Sequence, residues 1–371
     1  MKYAGIFIVL FVLQLACKNE QPLEPKDTDA QTSPYEVYEI AVNSEYVWVG
    51  SSIGLSRSAD GGKTWKTMDQ SHGIPKGAIT SVAIQDNIVW VSGAFDSAGY
   101  IVGAGLSYSD DNGDSWHYVP QPGKIKVQNV VWDIAFQGNT VWIASFGGGL
   151  KKTSDFGQTW ETVTPDSLDF DPYRYLNHRV FSVIAPGDEL WVGTAAGINL
   201  STDNGKTWEN FNYRNQMYAI SGNFVVALYA QIADGKEVIW AATREAEDDY
   251  EFTAISKSED RGQSWQVYLS DYIAHNFASS DSLLWIAMDR GLFFTHNLGQ
   301  SWGKYMNIKV NETDKTADYF YAVAYLDDKT SPNYGVWAGG QYGLYHSTNN
   351  GQIWESVNIE NTTGNFYNVH L

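Results

Sequence analysis

The chain has 371 residues, with aromatic residues abundant, proline sparse and charge modest, a composition of folded β proteins rather than of disordered chains. Its formal charge of −19 disfavours a nucleic-acid phosphate backbone as partner. A single cysteine excludes an intramolecular disulfide and a cysteine-held metal site.

The amino terminus reads as an address. Lys2 precedes an apolar run over residues 4–13, which ends in Gln14, Leu15, Ala16 and Cys17. A basic start and a short apolar core mark a secretory signal, too short to span a bilayer as a stable helix. A small residue followed by the lone cysteine resembles the lipobox of bacterial lipoproteins, with Gln14 standing where leucine is usual. That resemblance implies lipid attachment at Cys17 and export to the periplasm or cell surface, held on a membrane. Removing residues 1–17 takes away one lysine and no acid, bringing the charge to −20. Residues 18–34, polar and punctuated by Pro22, Pro25 and Pro34, read as a flexible tether.

From residue 35 to 371 the chain repeats itself. A hydroxyl residue, any residue, Asp, any residue, Gly, any residue, Ser or Thr, and Trp recur seven times, closing at Trp65, Trp116, Trp160, Trp208, Trp265, Trp302 and Trp354. The acid is Asp60, Asp111, Asp155, Asp203 and Asp260 in five copies, and Asn297 and Asn349 in the last two. A spacing near fifty residues signals a repeat architecture. Before each box lie β-branched and aromatic runs such as Val47-Trp48-Val49 and Leu190-Trp191-Val192, bounded by turn formers. Four short strands per unit make a small antiparallel sheet that must stack on its neighbours to bury both faces. The expected fold is an all-β, seven-bladed β-propeller of four-stranded antiparallel blades. The boxes then serve as turns between third and fourth strands: the acid accepts backbone N–H bonds, Gly takes a positive φ and Trp buries its ring. Residues 37–42 and 366–371 both resemble a first strand, and one of them is expected to help close the ring.

These eight residues are similar to the Asp box, or BNR repeat, of a propeller superfamily. It includes sialidases, xyloglucan-degrading glycoside hydrolases, sortilin-type receptors and the photosystem II assembly factors, and the last resemble this chain most in architecture. The phrase at Leu190 to Gly197 also resembles propeller repeats of bacterial sensor ectodomains. Fold alone does not settle function here. The sialidase pattern implies three substrate-holding Arg, the first in a Phe/Tyr-Arg-Ile-Pro phrase; this chain has seven Arg and only Tyr173-Arg174-Tyr175-Leu176 nearby. Xyloglucan-type enzymes imply two propellers, and one is present.

Long insertions at residues 95–105, 165–179, 243–253 and 307–318 are expected on the face opposite the boxes, where binding sites are usually built. Two rim loops stand out. One carries Asp169, Asp171, Tyr173, Arg174, Tyr175, His178 and Arg179; the other carries Glu245, Glu247 and Asp248. Carboxylates and tyrosine rings suit a sugar, and a glycosidase needs two carboxylates across the scissile bond. Both loops also read as solvated acidic surface. No cofactor or metal is expected, since no spacing matches a calcium loop. The sequence therefore predicts a membrane-anchored binding or scaffold module for a protein or carbohydrate partner, with an extracytoplasmic glycoside hydrolase as the alternative. Two carboxylates with shifted pKa in a deep central pocket would favour the enzyme; a shallow or apolar rim would favour a protein partner.

Overall fold

The computed structural model describes residues 35–123, 129–245, 251–305 and 318–359, within a unit spanning Ser33–Leu371. The signal, Cys17 and the tether lie outside the described residues. Seven four-stranded antiparallel sheets follow one another, each with its strands in sequence order. Blade 1 uses Val37–Val42, Val47–Ser51, Gly54–Ser58 and Lys66–Met68. The first strands of the other blades are Ala78–Gln85, Val131–Gln137, Val180–Ile184, Phe224–Ala233, Ala274–Ser280 and Phe320–Leu326. Each packs on the first strands of both neighbours, and Phe320–Leu326 packs on Val37–Val42, so the ring is closed around a central channel. Apart from these strands the described residues hold only two single-turn 3-10 helices, Gln70–His72 and Leu176–His178.

Val37–Val42 is thus the inner strand of blade 1, and blade 7 is completed by its own Glu355–Val357. Residues 366–371 lie outside the described residues. The seam between these blades is latched by side chains. The Tyr35 hydroxyl donates to the Val357 carbonyl at 3.2 Å and accepts from the Ile359 amide at 3.1 Å. Asn333 donates to the Asn43 carbonyl and accepts from the Gly61 amide, each at 3.2 Å.

The tryptophans make the repeat cohere. The second-strand residues Trp48, Trp90, Trp142, Trp191, Trp240, Trp285 and Trp337 are all 0% exposed. Each box tryptophan leans on the second-strand tryptophan of the preceding blade. Trp116 meets Trp48 edge-on at 6.0 Å, Trp302 meets Trp240 at 6.1 Å, and Trp65 meets Trp337 at 6.5 Å across the seam. Trp208 and Trp265 join the buried clusters of Trp142 and Trp191 in the same way. Burying an indole of this size contributes several kcal/mol, roughly 25 cal/mol per Å² of apolar area, so these pairs add to the inner-strand packing that joins neighbouring blades. The box glycine makes room for them: Gly205 has φ +81°, and a Cβ there would come within 2.8 Å of the Trp142 ring.

The box acid holds the turn. Asp60 accepts from Ser58 Oγ (2.9 Å), Lys63 N (3.0 Å), Thr64 N (2.9 Å) and Thr64 Oγ1 (2.7 Å). The Thr64 hydroxyl bond leads in bringing its carboxyl down to about 2. In blade 6 the amide still works: Asn297 Oδ1 accepts from Ser301 N at 2.9 Å, while its Nδ2 donates to Ser301 Oγ at 2.8 Å. In blade 7, Asn349 accepts from the Ile353 amide at 2.9 Å, and Ile353 has no hydroxyl to add. The residue before the box glycine also takes a left-handed φ, including Phe156 (57°), Arg261 (59°) and Leu298 (53°); the sequence pattern does not show this.

Candidate functional site: the channel mouth

Every inner strand carries a β-bulge near its start. The pairing slips between Val37 and Glu39, Ile79 and Ser81, Val180 and Ser182, Val225 and Ala227, Ala274 and Asn276, and Phe320 and Ala322. In blade 3 the slip falls opposite Ala144 and Ser145, between Val131 and Asp133. The partners of these positions, such as Gly50 and Ser51, end the second strand, so the bulges sit on the face opposite the Asp boxes. A bulge leaves one residue unpaired and re-aims its side chain. Here the seven are Tyr38, Thr80, Trp132, Phe181, Val226, His275 and Tyr321. Five of them carry rings.

Four of these five meet other rings. Tyr38 and Tyr321 lie 5.5 Å apart, tilted by 49°. His275 lies 5.6 Å from both Tyr321 and Tyr319, and Tyr319 lies 5.1 Å from Tyr321. On the other side Phe181 sits between Phe224 (4.4 Å) and Phe146 (5.5 Å), with the Arg179 guanidinium 5.6 Å over Phe146. Tyr38, Trp132, His275 and Tyr321 stay only half-buried. Trp132 is the one tryptophan of the fifteen outside the second-strand and box sets.

Next along the inner strands come the polar residues of the channel. Glu39 Oε1 accepts from its neighbour Ile40 N at 3.1 Å and, bypassing blade 7, from Asn276 Nδ2 of blade 6 at 3.4 Å. Asp133 binds more firmly: Oδ1 accepts from Ile134 N (2.8 Å), and Oδ2 from Ser182 Oγ (2.8 Å) and Val183 N (2.9 Å), stitching blade 3 to blade 4. Burial, then the Asp133 charge, drives the Glu39 carboxyl up to about 8. Burial likewise raises Asp133 to about 6 against its three donors. Each side chain keeps some surface toward the channel, yet protein closes around it, and the raised values fit that enclosure. Burial and then the Arg244 charge bring His275 down to about 3, so its ring is neutral. Neither Glu39 nor Asp133 has an ion-pair partner among the described residues.

The rim loops lie on this same face, and several of their side chains are occupied in shaping them. His178 is buried, its Nε2 2.8 Å from Asp166 Oδ1 and its Nδ1 accepting from Asp171 N at 2.9 Å. Asp171 Oδ1 caps the turn by accepting from Tyr173 N and Arg174 N. Arg179 Nε donates to the Pro172 carbonyl at 2.7 Å. Asp169, Tyr173 and Arg174 remain exposed, with Arg174 5.1 Å over the Tyr175 ring. In the second loop Glu245 is exposed and Glu251 is buried, accepting from Asn223 N and Nδ2 at 2.8 Å each. Glu247 and Asp248 lie outside the described residues. The structure thus places at the same end of the inner strands a set that the sequence reading left out: Tyr38, Glu39, Trp132, Asp133, His275 and Tyr321. The available signal was the third position of each inner strand, which is an acid only in blades 1 and 3.

Known proteins share this fold. Xyloglucanase Xgh74A of Acetivibrio thermocellus is 23% identical over 279 residues, covering 62% of this chain and 31% of that protein, so the matched part of the chain spans about a third of this relative's length. The GH74 xyloglucanase of Xanthomonas campestris superposes with a TM-score of 0.65 at 13% identity, over 90% of this chain and 56% of that one. YCF48 of Cyanidioschyzon merolae gives 0.56 at 13% identity over 84% and 94%. A YCF48 structure bound to a D1 peptide gives 0.56 at 17% identity over 84% and 92%. These likenesses establish a shared propeller fold. Residues 114–313, more than half of the chain, match the family described as photosynthesis system II assembly factor YCF48, and the chain belongs to that family.

Proposed function

We propose that this protein is an exported lipoprotein, anchored through Cys17, whose propeller is a non-catalytic binding module for a segment of a partner protein. The observation that carries this reading is the aromatic mouth: ring-bearing bulge residues from five blades gather on the face that also bears the long loops. The YCF48 structure bound to a D1 peptide supports a peptide ligand, since it spans nearly the same length as this chain. The signal-like amino terminus supports export.

A glycoside hydrolase is the second reading, favoured by one feature, the two channel carboxylates with raised pKa. Asp133 weighs against it, because its three hydrogen bonds commit it to joining blades, whereas a glycosidase needs both carboxylates directed at the scissile bond. The xyloglucanase relative is also about twice as long, since the stretch that is 62% of this chain is 31% of that protein.

Site-specific photocrosslinking in the full chain tests the proposal. A photoreactive phenylalanine at Trp132 should yield discrete protein adducts on the membrane, and one at Lys63, exposed on the box face, should not. Cys17→Ser should move the protein out of the membrane fraction. Reducing-sugar release from xyloglucan, abolished by Glu39→Gln, would overturn the binding reading.

A further inference from the structure

We propose that the channel mouth receives a single cationic group, the alkylammonium or guanidinium end of a lysine or arginine side chain, enclosed by the aromatic collar above the Glu39 and Asp133 carboxyls. The inference rests on the binding reading above and names the chemistry of the bound group.

Four observations converge. First, the collar is curved. The rings around Tyr321 are inclined to it by 49°, 77° and 58°. Inclined rings enclose a compact group, whereas a sugar face calls for a flat, open platform. Aromatic faces attract a cation electrostatically, most strongly where water is excluded. Second, the floor carries two acids without a counter-cation. Both are made costly to ionise by enclosure, and an entering cation relieves that cost directly. Third, the buried Nε2 of His275 has no hydrogen-bond partner among the described residues. Burial keeps that ring neutral, so it sets no competing positive charge in the collar. Fourth, the net charge of −19 draws cations toward the protein at long range.

The nearby basic group is Arg244. Its charge acts on His275 and also on Asp289, a carboxylate that it shares with Arg290. The cation is therefore placed on the Glu39 side of the collar, bounded by Tyr38 and Tyr321, away from Arg244. A lysine suits the depth of such a site, since its methylene stem packs along rings while its head reaches the polar floor.

The probe is butylammonium, with 1-butanol as the neutral match, read by saturation-transfer NMR on the full chain at pH 8. Butylammonium should bind measurably more tightly than butanol. Glu39→Gln should weaken butylammonium by about fivefold or more, and Tyr321→Leu similarly, with butanol unaffected. Thermal melts of both variants verify folding, and Glu39→Asp, which keeps the charge, should retain part of the affinity. Equal binding of butanol and butylammonium, or a folded Glu39→Gln variant with unchanged affinity, would overturn the inference. Crosslinks from Trp132 without butylammonium binding would leave the partner reading standing and remove the cation. Butylammonium binding without crosslinks would do the reverse.

Discussion

Two sets of carboxylates occupy opposite faces of this ring and respond to their surroundings in opposite directions. The box acids lie near solvent, and hydrogen bonds from the turn stabilise their charge: Asp60, Asp155 and Asp203 are brought down to about 2, led in each case by the hydroxyl four residues on. Glu39 and Asp133 lie in the channel, where burial outweighs the two donors of Glu39 and even the three of Asp133, and raises both. A carboxylate encircled by N–H and O–H donors is a structural clip at any physiological pH. One enclosed against solvent, as Glu39 is, stays responsive to whatever approaches it.

The largest expected effect comes from breaking a clip. Asp60→Ala removes four hydrogen bonds and leaves the Lys63 and Thr64 amides to water, and should destabilise the fold by about 1–3 kcal/mol in urea titrations. A loss no greater than that of a neutral surface mutation would show that the remaining Ser58 and Trp65 contacts suffice to hold the turn.

The channel set should behave in the contrary sense. A folded-state Glu39 raised from 4.5 to about 8 keeps a proton that the unfolded chain has released, so its contribution to stability falls as pH rises through that window. Glutamine cannot ionise, and its Oε1 can still accept from Ile40 N and Asn276 Nδ2. Glu39→Gln and the parent should therefore melt together near about pH 4. They should diverge in favour of the variant by on the order of 1–2 kcal/mol at pH 8, with solvent in the channel screening the remainder. A variant less stable than the parent at pH 8 would show that the ionised carboxylate is accommodated after all.

The smallest effect restores a worn clip. Asn349→Asp with Ile353→Thr recreates in blade 7 the hydroxyl bond that Thr207 gives Asp203 at 2.7 Å. It should add about 0.5–1 kcal/mol, resolved by paired thermal melts. No gain, or a loss, would mean that blade 7 has adapted its packing to Ile353.

The fold was legible because its devices repeat. Seven boxes at fixed internal spacing, and seven second-strand tryptophans upstream of them, specify blades without any knowledge of register. The mouth was not legible for the opposite reason. Whether Tyr38 or Trp132 faces a neighbouring blade or the channel depends on a one-residue slip against the second strand, and a slip is a property of pairing, not of composition. The rim loop at residues 165–179 misleads in another way. Its acids, histidine and arginines have the residue types of a binding loop, yet Asp166, Asp171, His178 and Arg179 are largely engaged with one another and with the local backbone. Only the three-dimensional pairing separates those from exposed Tyr173 and Arg174.

The Tyr35 latch has a mechanical consequence. Tension applied from the amino-terminal side enters the described fold at residue 35, beside the seam where the first and last blades meet. There the Tyr35 hydroxyl bridges Val357 and Ile359, and the adjoining Val37 is fully buried. A pull from that direction therefore loads the junction where the first and last blades are held together by packing and side-chain contacts. Resistance at this point comes from the Tyr35 phenol, the Asn333 and Ser331 bridges and the buried cluster around Val37 and Trp337, so the amino-terminal attachment and the closure of the ring are borne by the same few side chains.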